Sequence, residues 1–142
     1  MANARIGSHP SHGYQMVETI DTTAKQLEWK DSGKIFMCVQ NGTADVEIFL
    51  PKLTTEIAGW HAKFIAAAAN GAHTITITAG GASTAFAGVT LQAGDTVEHT
   101  GTASAVIAAS DFKLGDFFEV MFDGTKFHIT GMFDTASSLA VS

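Results

Sequence analysis

The chain of 142 residues has one cysteine, Cys38, two prolines, one tyrosine and one arginine, Arg5. A single thiol excludes an intramolecular disulfide and suits folding in a reducing cytoplasm. With Arg5 the only arginine among eight cations and a net charge of -6, no basic patch can be assembled to neutralise phosphates. Nucleic acid is therefore not expected as a partner. No uninterrupted run of about 18 apolar residues occurs, so no membrane-spanning helix is expected. Residues 1–13 lack the apolar core of a secretory signal. Charge of either sign is scarce as well, 15% of residues against about 25% in typical domains, while 46% are hydrophobic. Too few charges remain to coat a monomer of this size. Part of the surface is expected to be covered by copies of the same chain in a closed symmetric oligomer.

What the sequence does contain is β-pattern. Lys34 to Val39 and Asp45 to Leu50 flank Asn41-Gly42, a two-residue hairpin signal. Alternation places Val46, Ile48 and Leu50 on a dry face and Asp45 and Glu47 on a wet one, and Pro51, which has no N–H to donate, ends the ladder. A third run, Ala62 to Ala66, is predicted to pair with these two. Upstream, Tyr14 to Ile20 alternates weakly and reads as a first strand, and Asp21 to Trp29 as a turn or short strand.

Downstream, His73 to Thr78 alternates isoleucine with threonine, whose branched Cβ suits a pleated surface. Val89, Leu91 and Thr96 to Thr100 read as short strands broken at Ala93-Gly94-Asp95, followed by Ala103 to Ala108. Phe117 to Phe122 and Lys126 to Phe133 flank Asp123-Gly124 and form the expected core hairpin, with Phe118, Val120, Phe122, Phe127, Ile129 and Phe133 on one side. Turn signals recur roughly every 8 to 12 residues, the spacing of sandwiches and barrels. The expected fold is all-β, an antiparallel sandwich or barrel of jelly-roll type. Residues 14–133 form its single domain, between an extended N-terminal arm at 1–13 and a short C-terminal tail at 134–142. The arm either lies free or docks on a neighbour.

Chemistry is sparse. The aspartates fall mostly at turns (Asp21, Asp31, Asp95, Asp111, Asp116, Asp123, Asp134), where the side chain closes the backbone. Glu47 and Glu119 sit in strands, Glu119 on the face of Phe117 and Met121, and a solvated face accounts for both. No Gly-x-Ser-x-Gly occurs, and Cys38 alternates between Met37 and Val39 as a small core residue. Histidines 9, 12, 61, 73, 99 and 128 are dispersed. Leu91 to Gly101, LQAGDTVEHTG, resembles the Gly-Asp turn of cupin barrels but lacks their paired His-x-His and following Glu. Glu98 and His99, the residues nearest a ligand set there, are adjacent and face opposite ways. Gly80-Gly81 is not followed by Lys-Ser or Lys-Thr, so no phosphate loop is expected. Exposed aromatics for a sugar reduce to Tyr14, Trp29 and Trp60, for which core packing or an oligomer interface is an equal account.

The run from Asp31 to Phe36 (DSGKIF), then Val46 to Pro51 (VEIFLP), then Ala58 to Ile65 (AGWHAKFI), resembles small β-proteins of tailed bacteriophages. These are the capsid decoration or cement proteins and related head-fibre and tail-fibre modules. Phe118 to Lys126 is similar to that family's closing strands. The resemblance implies a non-enzymatic homotrimer without cofactor, made in the cytoplasm of a bacterial host and bound outside the virion's capsid, which clamps neighbouring copies of the major capsid protein. Ile6, His9 and Tyr14 of the arm would then reach the capsid, and Trp29 and Trp60 would pack the protomers. The alternatives are a fibre or appendage module that binds a host-surface glycan and a cupin-like metal-binding barrel.

Overall fold

The computed structural model describes residues 16–39, 44–52, 57–68, 71–79, 85–101, 104–107 and 111–141. Among these residues twelve strands form two sheets packed face to face. Their order is β1 (Val17–Ile20), β2 (Ala24–Gln26), β3 (Ile35–Cys38), β4 (Val46–Phe49), β5 (His61–Ala66), β6 (Ile75–Thr78), β7 (Phe86–Gln92), β8 (Asp95–Thr100), β9 (Ser104–Ile107), β10 (Phe117–Phe122), β11 (Phe127–Phe133) and β12 (Leu139–Val141). The larger sheet runs β1-β3-β5-β10-β11-β7-β8 and the smaller β12-β9-β6-β4-β2. No α-helix occurs among the described residues, and the all-β sandwich expected from the turn spacing is what forms.

The sheets are mixed rather than purely antiparallel. From β1 to β6 the chain crosses to the opposite sheet at every connection, so β1, β3 and β5 run parallel in one layer and β2, β4 and β6 parallel in the other. This overturns the hairpin expected around Asn41-Gly42. The two runs that flank it become β3 and β4, which belong to different sheets, and the Asn-Gly pair itself lies outside the described residues. Alternation specifies which face of a strand is dry and leaves open which neighbour completes its ladder. Here Phe36 and Cys38 point inward from one sheet, and Val46 and Ile48 point inward from the other. Ala62 to Ala66 does pair with the first run, in parallel, and not with the second.

Local turn chemistry holds where sequence neighbours do pair. β7 and β8 are joined by Ala93-Gly94, both at positive φ (50° and 90°), the two-residue geometry whose twist matches that of the strands. β10 and β11 pair from Phe122↔Phe127 to Phe117↔Met132, and the Asp123 carboxylate closes their turn by accepting the Thr125 and Lys126 N–H groups at 2.7 and 2.8 Å. This hairpin inserts between β5 and β7, antiparallel to one and parallel to the other.

The core is aromatic. Phe36, Phe64 and Phe118 occupy one cross-strand row, their rings stacked at 5.3 and 4.7 Å. Gly131 stands opposite Phe118, where a Cβ would come within 2.5 Å of the Phe117 carbonyl oxygen. Phe118 also stacks on Phe133 and touches Phe112. Full burial contributes about 1.5–3 kcal/mol per such side chain, and Phe36, Phe64, Phe86, Phe112, Phe118 and Phe127 are each fully enclosed.

The sequence predicts residues 134–142 as a tail. Instead Leu139–Val141 is an edge strand, paired antiparallel with β9, and Leu139 is buried.

Candidate partner-binding face

The outer face of the seven-stranded sheet is where the surface departs most from a solvated one. Registers align its side chains in rows across the strands. One row runs Thr19, Met37, Ile65, Phe117, Met132, Leu91, Thr96, apolar at every strand except the two edges. The next runs Val17, Ile35, Lys63, Glu119, Thr130, Val89, Glu98. The third places Met121 between His61 and His128, with Ala87 and Thr100 beyond. Of the large apolar side chains left exposed, Val17, Val89, Leu91, Met121 and Met132 all lie on this face. Its charged side chains are Lys63, Glu119 and Glu98. Lys63 pairs with Glu119 at 3.2 Å and lies over the Phe117 ring at 4.2 Å, so its stem covers part of the apolar row. A hollow of about 460 Å³ opens here, lined by Ile35, His61, Lys63, Met121 and His128 among others.

In the sequence alone, Glu119 assigns this face to solvent. The signal to the contrary was in FFEVMF. Phe117 and Met121 flank Glu119 on its own face while Phe118, Val120 and Phe122 fill the other, so both faces of β10 are apolar. A strand with one solvated side alternates; this one does not.

The two tryptophans separate. Trp60 is 3% exposed, and its Nε1 donates to the Glu28 carbonyl at 3.1 Å. It packs edge-on to Phe127 inside the protomer and cannot also line a contact between protomers. Trp29 is 72% exposed on a 3-10 turn, Trp29–Asp31, held by reciprocal Glu28 and Asp31 capping bonds. Beside it is a hollow lined by Gln26, Glu28, Pro51, Lys52 and Ile57. Ile6, His9 and Tyr14 lie outside the described residues.

The turn carboxylates act structurally. Asp31 accepts the Glu28 N–H at 2.8 Å, Asp116 accepts those of Lys113 and Asp134 at 2.8 and 3.0 Å, and Asp45 accepts that of Thr74 at 2.8 Å. Backbone bonds from Lys126 and Thr125, with the His128 ring between them in strength, hold the Asp123 carboxyl down at about 2. Cys38 is a core residue, and burial pushes its thiol up to about 12.

No three His, Cys, Asp or Glu side chains converge to hold a metal ion among the described residues. Around the cupin-like turn, Glu98 is exposed on the outer face while His99 points inward, buried, with Nε2 2.7 Å from Thr90 Oγ1. Gln92 Nε2 donates to that same hydroxyl at 2.9 Å, so the hydroxyl proton is free to reach His99. Burial lowers the His99 pKa, consistent with a neutral ring that accepts it. His99 is thereby committed to Thr90, and Glu98 faces the other side of the strand.

No protein-family model matches the chain, and no curated protein matches it.

Proposed function

We propose that the chain is a structural virion protein that binds the outside of a bacteriophage capsid as a homotrimer and stabilises the contacts between major capsid subunits. The observation that supports this reading, through its homotrimer, is the apolar row from Met37 to Leu91 on an otherwise open sheet face. Contiguous apolar side chains on an open face mark a surface that another protein contacts. Low charge, aspartates used for turns and a core occupied by stacked phenylalanines suit a scaffold that works through contacts rather than through a reacting group. The sequence resemblance to phage decoration proteins supplies the partner.

A clamp of this kind acts by mass action. It binds neighbouring subunits only as the assembled shell arranges them, so shell disruption must first release it. Shells that lack the protein should therefore withstand a higher temperature once it is added, by an amount that grows with its concentration. Unchanged disruption at saturating protein would sink the clamp.

One observation favours a second reading. The Trp29 indole, fixed on its turn and open on one side beside Gln26, Glu28 and Lys52, has the amphipathic flatness that stacks on a sugar ring. A fibre or appendage module that binds a host-surface glycan would use it. Binding of the isolated protein to a glycan array, lost in Trp29→Ala, would favour that reading over the clamp.

A further inference from the structure

We infer that the copies of this chain meet through the outer faces of their seven-stranded sheets, the row Met37, Ile65, Phe117, Met132, Leu91 of each copy turned toward a common axis. This rests on the homotrimer reading above and identifies the surface that builds it.

Why another copy, rather than the shell, should cover the face follows from charge. The chain carries a net charge of -6, so most ways of bringing two copies together set like charges against each other. The outer face carries both signs, Lys63 against Glu119 and Glu98. Near its middle, Lys63 and Glu119 stand side by side and neutralise each other. A surface with both signs adjacent and little net charge is complementary to itself, because the Lys63 of one copy can reach the Glu119 of the next without any new charge being buried unpaired.

The shape of the row adds to this. Its apolar part crosses five neighbouring strands, β3, β5, β10, β11 and β7, with threonine at either end on β1 and β8. At the usual strand spacing of about 4.8 Å it extends about 20 Å. This is an apolar centre with a polar border, the anatomy of a protein interface. Met37, Met121 and Met132 put three of the chain's five methionines on this one face, and unbranched thioethers adjust to a facing copy better than branched side chains do. Trp29 lies off this face, which leaves it available to another partner.

The test is the solution mass by light scattering of four full-length proteins: wild type, Met132→Glu, Val89→Glu and Trp29→Ala. Met132 is 51% and Val89 45% exposed, so neither glutamate has to be buried within its own protomer, and circular dichroism checks that each variant keeps its strand signal. The expected result is three chains for wild type and Trp29→Ala and one chain for the folded glutamate variants. A monomeric wild type overturns the inference, as do glutamate variants that keep the mass of three chains, or a Trp29→Ala protein that alone dissociates. Shell binding is measured separately on wild type. A trimer dispersed by Met132→Glu that ignores shells upholds this interface and overturns the capsid reading alone.

Discussion

Gln92 on β7 gives Leu139 on β12 both hydrogen bonds that a neighbouring strand would give. Its Nε2 donates to the Leu139 carbonyl at 2.9 Å and its Oε1 accepts the Leu139 N–H at 3.2 Å. The two residues belong to different sheets, so one buried amide ties the layers together where the chain ends its last strand. Gln92→Leu keeps the volume and strands the two buried backbone groups of Leu139, while the Thr90 hydroxyl keeps its bond to His99. Urea unfolding should show a loss of about 3 kcal/mol. A loss under about 0.5 kcal/mol, the range of ordinary surface changes, would mean that the amide is not needed.

Gly88 and Gly59 separate two reasons for glycine. At Gly88, φ is +149° and a Cβ would lie 1.9 Å from the Ile129 carbonyl oxygen, part of the parallel ladder between β7 and β11. That backbone cannot move without loss of the pairing. Gly88→Ala should cost about 4 kcal/mol or leave the protein unfolded. At Gly59, φ is +90° but nothing lies within 4 Å, so Gly59→Ala should cost only the conformational strain, about 1–2 kcal/mol. Thermal denaturation of both variants checks the order, and equal losses would contradict it.

Burial of Cys38 raises its thiol from its ordinary 9.0 to about 12. The native thiol is therefore protonated and screened, and should react with a disulfide reagent only as fast as the protein opens. The same shift sets an alkaline limit. A thiol with a raised folded pKa stabilises the fold fully below its unfolded pKa, and that contribution is lost as pH rises from 9.0 toward 12. Cys38→Ala should remove this alkaline component from the stability profile. Labelling of the native protein at the rate of a free thiol would refute the assignment.

Four side chains around the start of the domain form an ion cluster. Glu18 pairs with Lys25 and, at 2.9 Å, with Lys34, which also reaches Asp31 at 2.6 Å. Hydrogen bonds from Lys25 and then Lys34 lower the Glu18 pKa. Burial raises that of Asp31, but the Lys34 ammonium and the Glu28 N–H outweigh it, and the net shift is downward. Carboxyls held below their unfolded values stabilise the fold above those values, and the benefit is lost as pH falls through about 4 and below. The cluster is partly solvent-exposed, so Lys34→Met should cost on the order of 1 kcal/mol at neutral pH. It should also flatten the acid limb of the stability profile. An acid limb identical to wild type would exclude the cluster as its source.

How much of this was legible depended on whether partners were close in sequence. The β10–β11 hairpin, its six inward side chains and the β7–β8 turn follow from local alternation and turn residues, and all form as read. The zigzag of β1 to β6 between layers does not, because each parallel ladder joins segments far apart, and Asn41-Gly42 suggested a local pairing that the distant ladders displaced. Leu139 and Val141 looked isolated among small residues, and only the Gln92 amide and β9 explain their strand. On the candidate face, Glu119 disguised an apolar row whose members come from five strands and align only once the registers are known. Trp60 and Trp29 are indistinguishable by type, and burial alone separates them.

The proposed clamp binds only an assembled shell. Its most direct test is to add purified protein in excess to shells that lack it, separate the shells by sedimentation and count the chains they carry. Saturation is expected at a fixed number of copies divisible by three, with none retained by unassembled capsid subunits. Shells that emerge bare, or subunits that bind as well as shells, would contradict it.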